Sequence, residues 1–286
     1  MIPSLPQPKI YRVTYQLYVT LFFIYLVAPL LVVAVFAFND SLFPSLPWNG
    51  FTLDWFWGEQ QPRLGIFHDE PLLESIGISA FVAFWVTLLS LFVGTCNAFL
   101  FERKQFPLRN FLYMLMLTPL VIPGVILGIS ILVFSNTLAN GLEESLEWDI
   151  EALRPGLTLV ILGQFSFITT IATLVISARL RKFGTSLEEA AMNLGASKRT
   201  AVFTITVPYL SPALLGAGIV AFLMSFENFS TTLMLVGSDA PLTITMFDRS
   251  REGSTPALNA VSLLLMVASG TLALLSVMVQ RDRGAD

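Results

Sequence analysis

Apolar residues in this chain gather in six long blocks, near 17–38, 76–100, 111–134, 157–178, 212–236 and 258–279. Each is longer than a buried strand or an ordinary core helix needs. A bilayer core of roughly 30 Å is crossed by about 20 apolar residues in helical form. The blocks therefore predict six transmembrane helices. Lys9 and Arg12 precede the first block much as they would in a signal peptide. The apolar run that follows, about 22 residues, is too long for a signal core, so the block reads as a retained anchor.

Composition narrows the class. Of 286 residues, 55% are apolar and only 13% are charged. The charged share is half the roughly 25% of a soluble domain. A soluble enzyme, a nucleic-acid binder and a disordered chain are poor readings of such a sequence. One cysteine (Cys96) and one histidine (His68) exclude an intrachain disulfide, a cysteine cluster and a multi-histidine metal site. The predicted organisation is a tail at 1–16, a six-span domain over 17–280, and a second tail at 281–286.

Charge orients the spans. With six crossings both termini share a side. That side collects Lys9, Arg12, Arg103, Lys104, Arg109, Arg179, Arg181, Lys182, Lys198, Arg199, Arg281 and Arg283; the other has Arg63, Arg154, Arg249 and Arg251. The excess of Lys and Arg predicts cytoplasmic termini. Acidic residues are biased outward, including Asp69, Glu70, Glu74 and the run Glu143, Glu144, Glu147, Asp149 and Glu151. The run reads first as a solvated loop, with a negative funnel for a cationic solute as the lesser alternative.

The first outer loop, 39–74, holds Pro44, Pro47, Pro62 and Pro71 and the aromatics Trp48, Phe51, Trp55, Phe56 and Trp57. These fit an interfacial aromatic belt or a docking surface for an outside partner. His68 reads as a surface residue and Cys96 as a small packing residue. Pro119, Pro123, Gly124 and Gly128 fall inside the third block. They predict a kink and close helix approach, structural or beside a moving path. No internal repeat, phosphate-cradling loop, zinc motif or nucleophile–base pair is present. The chain is not expected to be an enzyme.

The most informative segment is 184–208, between the fourth and fifth blocks. Ser186 followed by Glu189 fits a capping box at a helix start. Residues 187–194 are good helix formers, and Gly195 is the expected left-handed stop. Ser197 can cap a second short helix, which should end before Pro208. Two short helices joined by glycine form an elbow projecting into the cytoplasm. Ala190 and Ala191 give it a low face on which another protein could sit.

Glu189-Ala190-Ala191, Gly195 and Ile205-x-Val207-Pro208 at these spacings resemble the EAA loop of bacterial ABC importer permeases, with Val207 where that pattern has leucine. The looser segments 51–55, 74–76, 225–228 and 258–261 resemble the spermidine/putrescine permeases. The resemblance implies an all-α integral membrane protein with the type I importer permease fold and a cytoplasmic coupling helix. It implies ATPase coupling through Glu188, Glu189, Ala190, Ala191, Asn193, Leu194, Gly195, Ala196 and Pro208. It implies a bacterial inner-membrane assembly with a second, non-identical permease subunit, two ATPase subunits and a periplasmic solute-binding protein. The chain itself would bind no cofactor, with ATP and magnesium held by the ATPases, and would contact lipid but no nucleic acid. Amino acids, aminophosphonates and ferric ion are the alternative solutes of the wider group.

Glu227 is the one charged residue well inside a block. A charge at the bilayer centre costs about 2.5–3.5 kcal/mol on insertion scales. Its neighbours Ser225, Asn228, Ser230, Thr231 and Thr232 are polar. At helical spacing Glu227 and Thr231 would share one face, and Ser225, Asn228 and Thr232 another. Two readings stand: a carboxylate held by neighbouring helices, and a pathway residue meeting a cation, with Ser225, Asn228 and Thr231 beside it. The polyamine permeases have an acidic residue at the comparable position, often followed by a second acid where this chain has Asn228. A proton- or cation-coupled secondary carrier using Glu227 is the rival from another class.

Overall fold

The computed structural model describes residues 9–282 except 45, 149 and 254, with side chains as far as residue 274. Asp149, Arg283, residues 1–8 of the predicted first tail and 283–286 of the second lie outside the described residues. Among the described residues six helices are long and apolar enough to cross a membrane. The first is α1 (Lys9–Phe36), followed after a short α2 (Asp54–Trp57) by α3 (Glu70–Arg103). The third block is not one helix. It divides into α4 (Arg109–Val121) and α5 (Gly124–Leu146), and α5 is the piece that qualifies as a span. Proline explains the break. Pro123 has no N–H to donate back into α4, and Ile122 before it is extended (φ −75°, ψ 129°).

A short 3-10 turn (Glu151–Leu153) leads to α6 (Leu157–Arg181). The elbow helices α7 (Ser186–Asn193) and α8 (Lys198–Ala201) come next. From α8 the chain continues through a π-helical turn (Val202–Thr206) into α9 (Val207–Phe226), then the single turn α10 (Thr232–Leu235), the amphipathic α11 (Leu242–Gly253) and α12 (Pro256–Asp282). The fifth span is therefore Lys198–Phe226, starting and ending well before the predicted 212–236. The helix also runs through Pro208, contrary to expectation. In the π turn the Val207 N–H reaches back five residues to Val202 O. That wider turn moves the carbonyls out of the way of the proline ring, which sits directly after it at the start of α9.

The described chain forms two compact units. One comprises residues up to Glu70 with Arg249–Ala268. In it the outer loop has a core of its own. Trp55 is buried and its Nε1 donates to Asn39 O at 2.8 Å, while Phe38 stacks on Phe51 with ring centroids 5.2 Å apart. Phe56 is also buried, so only part of the aromatic cluster is free to form a surface. Arg63 pairs with Asp40 at 2.5 Å and Asp54 at 3.4 Å. Arg249 of α11 forks onto both carboxylate oxygens of Asp69, at 2.5 and 2.8 Å. These hydrogen bonds hold the Arg249 guanidinium above its ordinary pKa against the opposing effect of burial, so it stays charged at every working pH.

The other unit runs from Pro71 to Asp248 with the continuation of α12 from Ser269. Its centre is α6, which packs most extensively on α9. One apolar cluster joins Val82, Val86, Leu159, Val160, Ile168, Ala221 and Leu235; a second joins Ala98, Ala172, Ile176, Leu180, Leu210 and Ala217. Hydroxyls are threaded between them, with Ser90, Thr169, Thr173 and Ser177 all buried. Small and hydroxylated residues let membrane helices approach where apolar burial alone gives no preference over lipid.

Candidate functional site

The elbow is built from local backbone chemistry. Helix α7 ends on Leu194, and Gly195 follows at φ +95°. The Gly195 N–H donates to Met192 O and the Ala196 N–H to Ala191 O, both at 3.0 Å. This is the paired closure of a Schellman end, and it requires a conformation that side chains rarely adopt. Ser197 then caps α8, its Oγ accepting from the Thr200 N–H at 3.1 Å. The predicted capping box at the start of α7 does not form. Ser186 is already the first helical residue, and Thr185 precedes it without a side-chain cap. Glu189 is exposed instead.

Glu188 faces inward. Its Oε1 accepts from Thr206 Oγ1 at 2.5 Å and lies 3.5 Å from Arg103 Nη2, and Arg103 also donates to Phe183 O at 3.1 Å. The Phe183 ring packs on Tyr209 (centroids 4.5 Å apart), and Arg179 covers the Tyr209 ring at 4.3 Å. The elbow is thus strutted to the ends of α3, α6 and α9. The Glu188–Thr206 contact joins it to the fifth span at the π turn. Ala190, Asn193 and Leu194 are exposed with Glu189, Leu194 to 90%, while Ala191 and Ala196 are half-buried. Pro208 is exposed within α9. Leu187 and Met192, missed in the sequence, add further exposed apolar side chains to the elbow; an apolar residue beside the glutamate pair was the available signal for Leu187.

Beside the elbow opens a groove of about 970 Å³, lined by Leu88, Phe92, Phe99, Arg103, Glu189 and Phe203 among others. Cys96 is exposed on this groove rather than packed in the interior, because its face of α3 borders the groove and not the apolar clusters.

The predicted polar stretch is not a helix face. Helix α9 stops at Phe226, with Glu227 at its C-cap, and the chain turns before α10 begins at Thr232. Ser225 is buried, and its hydroxyl donates to Gln164 Oε1 at 2.5 Å. Gln164 Nε2 donates to Thr232 Oγ1 at 2.8 Å, and Thr232 Oγ1 donates to Asn228 Oδ1 at 3.0 Å. Thr231 is buried and its hydroxyl donates to Gly124 O at 3.3 Å, so this turn meets the break between α4 and α5. Glu227 is exposed, its Oε1 accepting from Ser269 Oγ at 3.1 Å. Of the four residues predicted for the path, Ser225, Asn228 and Thr231 hold the turn together and Glu227 is displayed. Gln164 was missed. A lone glutamine within an apolar block was its only trace in the sequence.

Glu227 thus stands at the end of the fifth span rather than well inside it, because α9 stops at Phe226. A six-span helical membrane protein with a strutted elbow before its fifth span and a carboxylate displayed where that span ends has the construction of a transporter's membrane subunit. Residues 87–282 match the family described as "Binding-protein-dependent transport system inner membrane component", and the chain belongs to that family. It is 30% identical over 250 residues to the putrescine transport system permease protein PotI of Escherichia coli (strain K12), covering 87% of this chain and 84% of that one. It is 23% identical over 267 residues to the spermidine/putrescine transport system permease protein PotC of the same strain, covering 93% of each. Its fold matches the crystal structure of a bacterial ABC transporter involved in the import of the acidic polysaccharide alginate, with a TM-score of 0.69 and 15% identity over 95% of this chain and 96% of that one. The chain is the inner-membrane permease component of a bacterial ABC importer, with the type I importer permease fold.

Proposed function

We propose that this permease carries a small cationic amine of the putrescine class, with Glu227 on the solute path and both termini cytoplasmic. The fold alone does not choose the solute, since a similar fold serves an importer of an acidic polysaccharide. The observation that carries the reading is the exposed carboxylate at the helix break. Glu227 sits at the carbonyl end of α9, where the helix dipole adds partial negative charge. A carboxylate there repels an anion and attracts an ammonium group. Similarity to PotI and PotC supports the same class of solute.

The elbow, residues 184–208, is the docking element for a cytoplasmic ATPase. Its exposed Leu187, Ala190 and Leu194 form the contact, and the Glu188–Arg103–Thr206 cluster transmits it. ATP binding on two partner ATPases moves the elbow, the fifth span follows, and the path opens outward to a solute-binding protein. A second, non-identical permease subunit completes the path. No nucleotide is bound by this chain.

The test is uptake of labelled putrescine into vesicles containing the assembled transporter, with binding protein saturating. Glu227→Gln keeps the shape and removes the charge. Hydrogen bonds to charged groups are worth about 1.5–3 kcal/mol, so uptake should fall about tenfold or more while the complex still assembles. Wild-type uptake by Glu227→Gln removes the amine reading.

A further inference from the structure

We infer that Gln164 is a positioning residue of the solute path, whose side-chain amide fixes the helix break that presents Glu227. The inference concerns a residue outside the docking elbow and the displayed carboxylate. It rests on the proposed role of Glu227.

The argument begins from a fixed donor. The Thr232 N–H donates to Asn228 Oδ1 at 3.2 Å, and a backbone N–H can only donate. Asn228 therefore presents its oxygen at this point. The Thr232 hydroxyl, 3.0 Å from the same oxygen, must donate to it. Its lone pairs then accept from Gln164, so the Gln164 nitrogen faces Thr232. The Gln164 oxygen is left facing Ser225, whose hydroxyl must donate. One backbone amide thus sets the direction of the chain from Ser225 to Asn228.

The middle of that chain calls for a group that is donor and acceptor at once, and the Gln164 primary amide supplies it at every working pH. It must accept on one side and donate on the other across a planar group of fixed width. Ser225 lies in the last turn of α9 and Thr232 opens α10, so the amide ties both shores of the turn to α6. Gln164 is 1% exposed, so no bulk water replaces either bond if one is lost. The neighbouring Gly163 lets α10 approach α6 closely enough for the amide to reach. Charged groups on the packed elements stand near helix ends or in linkers, at Glu70, Glu74, Glu102 and Arg103 of α3, Arg109 of α4, Glu143 and Glu144 of α5, Glu151 of the 3-10 turn, and Arg179 and Arg181 of α6. Glu227 is the titratable side chain on the turn itself.

Two variants test this in the assembled transporter with labelled putrescine. Gln164→Leu fills the volume and orphans Ser225 and Thr232. Uptake at saturating binding protein should fall about tenfold, the scale of orphaning a buried hydrogen-bond partner, with the ATPase subunits still co-purifying. Gln164→Glu gives a pH readout. The protonated acid has one O–H to donate to Thr232 and one carbonyl to accept from Ser225, so it reproduces the chain. The ionised acid only accepts and breaks it. Burial raises the acid's pKa, so the ratio of variant to wild-type uptake should rise as pH falls from about 8 to about 5.5.

Wild-type uptake by Gln164→Leu overturns the inference. Should that variant fail to assemble, the Gln164→Glu ratio decides, and a ratio independent of pH overturns it. Glu227→Gln is measured alongside. Loss there with normal Gln164→Leu uptake sinks this inference and leaves the amine reading standing. Normal uptake there removes the amine reading, while the two Gln164 variants still report whether this amide positions the turn.

Discussion

At Gly195 a helix stops and restarts using partners within five residues along the chain: Met192 and Ala191 for the stop, Thr200 with Ser197 for the restart. At Glu227 another helix stops and restarts, but the amide that ties its two sides together is Gln164, 61 residues from Ser225 and 68 from Thr232. The elbow is largely exposed; the turn is mostly half-buried, with Ser225, Thr231 and Thr232 buried and Glu227 exposed. Water can satisfy the backbone at the elbow, so its geometry needs only a glycine and a serine. Within the spans each polar group must find a protein partner, and the partner comes from a different helix. The elbow can be rebuilt by local substitution, whereas the turn depends on the packing of α6 against α9 and α10.

The largest effect should come from Gly195→Pro. Proline fixes φ near −65° and removes the N–H that donates to Met192 O, while the position holds φ +95°. Both changes act on the stop of α7, at a cost of about 3 kcal/mol or more by analogy with proline in a helix interior. Pull-down of the partner ATPase by the variant membrane complex should be lost, with putrescine uptake lost alongside. Unchanged association and uptake together would remove the coupling role of the elbow and with it one half of the comparison.

The same contrast explains what could be read from sequence. Gly195 and Ser197 announce themselves because their chemistry is completed by near neighbours, and both act as expected. The capping box fails because helix α7 starts one residue early: Ser186 is already its first helical residue, and Thr185 before it has helical backbone angles and makes no side-chain cap. The six apolar blocks identify the spans, since hydropathy requires no partner. Their ends are less legible where proline acts in context. Pro123 breaks the third block, whereas Pro208 is absorbed because a π turn precedes it. Glu227 stands out as a charge in an apolar block. That it terminates a helix rather than lining one is not legible there: the amide that joins Ser225 to Thr232 across the turn belongs to Gln164, and nothing near residue 164 in the sequence pairs it with residues 225 and 232.

Gly163→Ala sharpens the comparison at the turn. An added Cβ would lie 2.3 Å from Leu235 Cδ1, and Leu235 is fully buried, so it has no free space to swing into. Overpacking of this kind costs about 1–3 kcal/mol. The melting midpoint of the purified complex should fall while pull-down of the ATPase is unchanged. At Gly195 an added Cβ meets nothing within 4 Å, so crowding plays no part there and backbone angle alone decides. A Gly163→Ala complex that melts like wild type would mean that α6 and α10 can part without cost, and the turn would not be the tightly held element described here.

The smallest effect belongs to Ser197→Ala. It removes the side-chain acceptor of the Thr200 N–H, a cap ordinarily worth about 1 kcal/mol. The site is exposed, so water takes over the freed N–H, and Ser197→Asp should restore the cap with a carboxylate oxygen. The expected result is faster amide hydrogen exchange across α8, reversed by aspartate, with uptake nearly unchanged. The informative comparison is with Gln164→Leu, which also removes hydrogen-bond partners from a helix restart but does so where no water can enter. If exposure governs the cost, Ser197→Ala lowers the melting midpoint less than Gln164→Leu does. Equal shifts would mean that the elbow's local bonds carry as much of the structure as the interhelical amide, and the distinction between a locally closed stop and one closed across helices would fail.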